Sequence, residues 1–230
     1  MSSIVENIAF VKENVQKARQ DSVHAAANIT IMAVTKTVAP ERMREAQLAG
    51  LTSFGENKVQ ELVDKFPLFQ GITWHMIGHL QTNKVKYIVD KVAMIHSLDR
   101  LSLAAEIEKQ AAKIERVVPC LLEVNVAAEE SKFGLQQDEV LDFARALADY
   151  PHIQVRGLMT VAPPVDNMEE NRPIFCRLRQ LKEEVAALGL PHLQMTELSM
   201  GMSGDFPVAV AEGATIIRVG SRIFGQRVYR

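Results

Sequence analysis

A closed barrel of eight parallel strands, wrapped by helices, is the fold this chain predicts. Strand-like apolar runs and amphipathic helical stretches alternate along it in about eight units. No long linker or low-complexity tract interrupts them, and 230 residues falls within the usual size of such barrels, roughly 200 upward. An open doubly wound sheet satisfies the alternation equally well. The count of units and the length favour the closed form. Residues 1–230 are therefore expected to make one (β/α)8 TIM-barrel domain with an extra N-terminal helix.

Each unit has its own signal. Ser3 and Glu6 form a capping box, and Ile4, Ile8, Val11 and Val15 share the face of a first helix. ITIMAVTK follows as a strand, then a helix with Pro40 near its start and Gly50 just past its end. TSFGE leads to a helix carrying Val59, Leu62, Val63 and Phe66, stopped at Pro67. TWHMIG leads to a short helix around Val85 to Val89. AMIHSL leads to Asp99, the expected N-cap of a helix with Leu103, Ile107, Ala111 and Ile114 inward. VPCLLEVNV precedes a helix bearing Val140, Phe143, Ala144 and Leu147. IQVRGLMTV precedes a loop with Pro163 and Pro164, then a long helix with Phe175, Leu178, Leu181, Val185 and Leu188, closed by Gly189. HLQMTELSM precedes a short helix from Asp205 to Glu212, and TIIRVG runs into SRIFG.

The composition, 47% hydrophobic and 23% charged with a formal net charge of −2, is that of a soluble globular protein. Near-neutral charge without a basic cluster gives no general attraction for nucleic acid or anionic lipid. No run approaches the roughly 20 apolar residues of a membrane span. The opening MSSIVENIAFVKENVQ carries Glu6 and Glu13 and has no sustained apolar stretch, unlike a signal peptide. Cys120 and Cys176 stand far apart with no framework of paired cysteines. A cytoplasmic protein is expected.

In either architecture ligands bind at the carboxyl ends of the strands. Those ends carry Lys36, Glu56, Asn57, Gly78, His79, Asp99, Asn125, Thr160, residues 199–203 and residues 218–221. Lys36 closes an apolar strand. A free lysine has a pKa of about 10.4, but apolar surroundings disfavour its charged form, and a neutral amine forms Schiff bases with carbonyls. The competing reading is a lysine that snorkels from the strand end into water.

RVGSRIFG supplies the second feature. Gly220 permits close backbone approach, and Ser221 opens a last helical turn whose free N–H groups favour phosphate. Barrels commonly place a phosphate in the loops after strands seven and eight. Here those loops are MGMSGD and VGSR, so that Ser203, Gly204, Gly220 and Ser221 can donate to one phosphate group. First and last strands are neighbours in a closed barrel. A ligand with an aldehyde near its phosphate spans them, and pyridoxal 5′-phosphate has that layout. Arg218, two residues before Gly220, points into the barrel by alternation. Opposite a pyridine nitrogen it donates a hydrogen bond and keeps that nitrogen unprotonated, which weakens carbanion stabilisation. A structural salt bridge is the alternative use of Arg218.

AVTKTV, FGENKVQE, WHMIGHLQTNK, SKFGL, RGLMT, LSMGMSGDF and RVGSRIFG, in this order over nearly the whole chain, resemble the serial motifs of the YggS/PROSC family of pyridoxal-phosphate homeostasis proteins. The resemblance implies a fold-type III barrel similar to the barrel domain of alanine racemase. It also implies pyridoxal phosphate binding and a part in vitamin B6 and amino-acid balance without established catalysis. By the same resemblance Lys36 carries the cofactor as a covalent imine, and Arg218 faces the pyridine nitrogen. Ser203, Gly220 and Ser221 hold the phosphate, and Asn57 and Ser199 lie near the ring.

Three functions compete. The first is a non-catalytic carrier or regulator of pyridoxal phosphate, with cofactor-dependent apo-enzymes as its recipients. The second is a racemase-like enzyme, which needs a second acid/base opposite the lysine. In alanine racemase-like enzymes a tyrosine from a separate C-terminal domain of a partner subunit supplies it. This chain ends at Arg230, right after the last barrel unit, so such a domain is expected to be absent and a monomer is expected. Tyr87 and Tyr150 fall at helix ends away from the ligand face, and Tyr229 lies in the tail. The third is a Schiff-base aldolase using Lys36 without a cofactor. His75 and His79 have helical metal spacing but straddle a strand end, which argues against zinc. Cys120 reads as a core residue, Glu129 and Glu130 as a solvated pair, and Met200 or Met202 as lining for the phosphate loop.

Overall fold

The computed structural model of the protein describes residues 3–129 and 133–225. Eight parallel strands close on themselves in chain order: β1 (Thr30–Val34), β2 (Ser53–Glu56), β3 (Thr73–Met76), β4 (Met94–Leu98), β5 (Val118–Glu123), β6 (Ile153–Met159), β7 (Leu193–Ser199) and β8 (Ile216–Val219). The closing pair is β8 with β1, in a register that sets Arg218 beside Met32 and Val219 beside Ala33. The α/β barrel expected from the alternation is therefore the one formed.

The helices are α1 (Ile4–Gln20), α2 (Pro40–Leu48), α3 (Val59–Lys65), α4 (Leu101–Ala112), α5 (Val140–Ala146), α6 (Arg172–Ala186), α7 (Phe206–Ala211) and α8 (Ser221–Phe224). None is long and apolar enough to cross a membrane. α1 precedes the first strand. Its capping box forms as read: the Ser3 N–H donates to Glu6 at 2.8 Å and the Glu6 N–H donates to Ser3 Oγ at 3.2 Å. Its buried residues are Ile4, Ile8, Val11 and Val15, one apolar stripe at helical spacing.

Strand alternation divides the apolar residues into two sets. Outward-facing Phe54, Trp74 and Val219 join the main core under the helices, where Phe54 and Trp74 meet edge to face at 5.8 Å. Inward-facing Met32, Val34, Ile77 and Ile216 form a small separate cluster inside the barrel. The rest of the interior is largely polar, and it contains the buried side chains of His75, His96, Glu123, Ser199 and Arg218.

Three local expectations are corrected. α4 is N-capped by Arg100 and not by Asp99, because Asp99 stands one position too early and its carboxylate accepts from the Arg100 guanidinium at 2.5 Å. Ile114 is 45% exposed; α4 ends at Ala112, and Glu115 turns the chain with φ +50°. The short helix after β3 is a 3-10 helix over Thr82–Tyr87, three residues nearer the amino terminus than the expected Val85 start. The smaller adjustments are at element ends. α3 stops at Lys65, with Phe66 and Pro67 in the 3-10 turn Phe66–Leu68 that follows.

Candidate functional site

A cavity of about 490 Å³ opens at the carboxyl ends of the strands. Six of the seven residues expected at the site line it: Lys36, Asn57, Ser203, Arg218, Gly220 and Ser221. The seventh, Ser199, does not. It is fully buried below the cavity floor and touches Arg218. Gly204 and Met202 also line the cavity, whereas Met200 is buried elsewhere in the core.

Lys36 stands two residues past β1 in a loop anchored on both sides. The Thr35 carbonyl accepts from Lys65 Nζ at 2.8 Å, and the Thr37 N–H donates to Glu61 at 2.7 Å. Lys65 also donates to Glu56 at 2.7 Å and to Glu61 at 2.8 Å. Both peptide units flanking Lys36 are thus tied, directly or through Glu61, to one buried ammonium group. Burial pushes the Glu56 carboxyl above its ordinary range, against the pull of its bonds from Lys65 and Thr35. For Glu61 partial burial pushes upward, but the bonds from Lys65 and the Thr37 N–H together hold it below the usual value. Reading the sequence missed Lys65, since a lysine in the last turn of a helix is an ordinary surface residue.

Asn57 is fixed by a close backbone approach. A Cβ on Gly78 would fall 2.4 Å from the Asn57 carbonyl oxygen, so only glycine fits there. The side-chain Oδ1 of Asn57 is buried with no hydrogen-bond partner among the described residues.

The far wall is the loop 161–165. Asn171 ties it down, donating to the Pro163 carbonyl at 3.0 Å and to Asp205 Oδ2 at 2.8 Å. Asp205 Oδ1 in turn accepts from the Met202 N–H at 2.6 Å. This strut joins the loops after β6 and β7, and it was not legible in the sequence. At the start of α8 the Ser203 hydroxyl accepts from the N–H groups of Gly220 and Arg222, each at 3.2 Å.

Arg218 is 4% exposed and enters the cavity wall from inside the barrel. Its Nη1 donates to Ser199 Oγ at 2.8 Å and its Nη2 to the Thr160 carbonyl at 2.8 Å. Burial lowers its pKa to about 10, with the carboxylates of Glu123 and Asp205 acting in the opposite direction; at neutral pH it stays cationic. Burial also lifts Glu123 to about 7, helped by the charge of Asp99.

His75 lies inside the barrel with its Nδ1 3.0 Å from His96 Nε2, so its partner is another imidazole and not His79. His96 was missed. The signal was present, since TWHMIG and AMIHSL each carry one histidine in an otherwise apolar strand. Tyr87 and Tyr150 end 3-10 turns that lead toward the amino ends of β4 and β6 and do not line the cavity. Glu129 is half-buried, and its peptide group exchanges two hydrogen bonds with the Asn125 side chain. Glu130, Tyr229 and the first two residues of SKFGL lie outside the described residues.

The barrel and its mouth define a class before any comparison: a parallel α/β barrel with a lysine in the loop after its first strand and anion donors in the loops after its last two, around one cavity. The alanine racemase N-terminal domain family matches residues 7–228. A pyridoxal phosphate homeostasis protein of Aquifex aeolicus is 43% identical over 97% of this chain and 98% of its own. The chain belongs to that homeostasis-protein family. Among solved structures, PipY of Synechococcus elongatus with pyridoxal phosphate bound is similar at a TM-score of 0.83 and 33% identity, covering 97% of this chain and 100% of that one. Alanine racemase of Clostridium difficile shares the fold at a TM-score of 0.74 and 12% identity, covering 96% of this chain and 57% of its own.

Proposed function

We propose that this protein holds pyridoxal 5′-phosphate as a Schiff base on Lys36 and serves vitamin B6 homeostasis as a carrier or regulator, delivering the cofactor to dependent apo-enzymes. The observation that carries the reading is the closure of β8 on β1, which brings Lys36, Arg218 and the Ser203–Gly220–Ser221 donors around one cavity. The residues fit the group. Lys36 presents an amine and Arg218 a cation to the cavity, and the N–H groups of Gly220 and Arg222 already converge on one oxygen, that of Ser203.

When bound, pyridoxal phosphate supplies an aldehyde for condensation with an amine. The chain's residues bind and orient. Lys36 offers the amine, on a loop held by Lys65 and Glu61. The N–H groups of Gly220 and Arg222, which donate to Ser203 Oγ, would hold a phosphate oxygen together with the Ser203 hydroxyl as a further donor. Arg218 would donate to the ring nitrogen and, being cationic, leave it without a proton. This suits holding the cofactor better than carbanion chemistry.

Proton transfer on both sides of a substrate needs a second group. Besides Lys36, the ionisable side chains lining the cavity among the described residues are Asp205 and Arg218. Asp205 is engaged by Asn171 and by the Met202 N–H, and no tyrosine, histidine or cysteine lines the cavity there. That supports a binder over the racemase-like alternative. The cofactor-loaded protein should show a visible absorption band that Lys36→Ala abolishes. Borohydride reduction followed by peptide mapping should place the adduct on Lys36; an adduct elsewhere, or none, overturns the reading. Amino-acid α-proton exchange in deuterated water at enzymatic rates would instead establish the racemase-like function.

A further inference from the structure

Below Arg218 a chain of side chains crosses the barrel interior through four strands. Ser199 of β7 accepts from Arg218 of β8 at 2.8 Å. His96 Nδ1 of β4 is 3.0 Å from Ser199 Oγ, and His96 Nε2 is 3.0 Å from Nδ1 of His75 on β3. His96 and Ser199 are wholly buried, and His75 is 6% exposed. None of the three lines the cavity.

The direction of the chain follows from elementary donor counting. A guanidinium only donates, so Ser199 Oγ is its acceptor. Among the described residues that oxygen has two partners, Arg218 and His96. A buried hydroxyl hydrogen left without an acceptor costs about 1–3 kcal/mol, so the Ser199 O–H donates to His96 Nδ1. His96 then carries its proton on Nε2 and donates it to His75 Nδ1. Both imidazoles must be neutral for this order to hold. Burial works the same way, lowering His75 to about 4 and His96 well below its ordinary value, with the neighbouring His75 and Arg218 adding to the latter. The second Arg218 bond, to the Thr160 carbonyl at 2.8 Å, pins the other arm of the guanidinium.

We propose that His96, acting through Ser199, is a positioning residue for Arg218: it takes the serine proton, so that the serine oxygen can only accept from the guanidinium and fixes its plane in the cavity wall. The inference rests on the cofactor reading above, in which Arg218 meets the ring nitrogen. Ser199 is accordingly placed one step behind the ligand, not against it.

The test is a double-mutant cycle on the full chain, read by pyridoxal phosphate affinity and by the pH titration of the visible band. His96→Leu and Ser199→Ala should each raise Kd about tenfold, the scale of a hydrogen bond to a charged group, and should shift the band's titration midpoint in the same direction. The double variant should be no weaker than either single one, since both break one link. His96→Asn, whose Oδ1 replaces the acceptor at Nδ1, should restore most of the affinity. Thermal unfolding of each variant reports folding separately. Additive losses, or reduced stability with unchanged affinity and band, overturn the proposal. Absence of a Lys36-dependent band in the unaltered protein would instead defeat the underlying cofactor reading.

Discussion

Beneath the Lys36 loop, on the outer face of the sheet, lies an ionic cluster; inside the barrel, under Arg218, lies a chain of neutral imidazoles. Lys65 gathers Glu56, Glu61 and the Thr35 carbonyl within 2.8 Å. Formal charges therefore lie out of water on the outer face, Glu56 at 0% exposure and Lys65 at 8%. The imidazole chain carries one cation at its end and passes its order along by donor direction alone. The two also anchor different things. The ionic cluster holds backbone on both sides of one residue, whereas the chain holds a side-chain plane. Charge is suited to the first task because one ammonium with three donors reaches three acceptors at once. Direction is suited to the second, because each link has one donor and one acceptor and so fixes orientation.

Breaking the ionic cluster should have the largest effect. Lys65→Met leaves Glu56 buried with only the Thr35 hydroxyl, at 2.7 Å, as a donor among the described residues, and should cost about 3–5 kcal/mol in denaturant unfolding. Adding Glu56→Gln should recover a part of that loss by removing the unpaired charge. If Lys65→Met proves no more damaging than His96→Asn, the contrast between the two clusters does not hold.

Acid should act next, and on the imidazole chain. His75 is held at about 4 in the native state against an ordinary 6.5. The unfolded chain therefore binds a proton first, and the His75 contribution to stability falls as the pH drops from about 6.5 to 4, by roughly 3 kcal/mol. Glu123 has the opposite sign. Its native value of about 7 against 4.5 means that the native state binds the proton first, so its contribution declines as the pH rises from 4.5 to 7. Glu123→Gln should accordingly steepen the acid loss, and His75→Phe should flatten it. Unfolding curves between pH 4 and 7.5 decide both.

The smallest effect concerns the loop itself. Thr37 adopts φ +61°, a left-handed conformation disfavoured for a β-branched residue, while its N–H donates to Glu61. Thr37→Gly should retain that bond and raise stability by about 0.5–1 kcal/mol, the left-handed penalty less the extra chain entropy of glycine. A loss would mean that the threonine side chain contributes contacts that outweigh its strain.

The sequence was most readable where one element decides the outcome. The α1 capping box, Pro40 at the start of α2 and Gly50 with φ +89° after it are local features, and the structure has them. Asp99 failed as a cap because the neighbouring Arg100 competes for its carboxylate, and nothing in the local pattern weighs that competition. Lys65, His96 and Asn171 were missed for a shared reason. Each acts on a residue 30 or more positions away: Lys65 on Thr35, His96 on Ser199, and Asn171 on Asp205. Local spacing offers at most the i,i+4 pair of Lys65 with Glu61 and a lone histidine in each of two apolar strands, and does not name these distant partners.

By itself, then, the sequence determined the alternation of strands and helices, the strand ends and the types of residue waiting there, because periodicity and punctuation are properties of short stretches. Which of those residues face one another was decided by tertiary structure. Closure of β8 on β1 sets Arg218 in register with Met32 and brings Lys36 to the donors of the last loop. Ser199, expected near the ring, does not line the cavity and accepts instead from Arg218. Alternation gives only the side of the sheet on which a residue stands; its depth inside a closed barrel depends on the stagger of all eight strands.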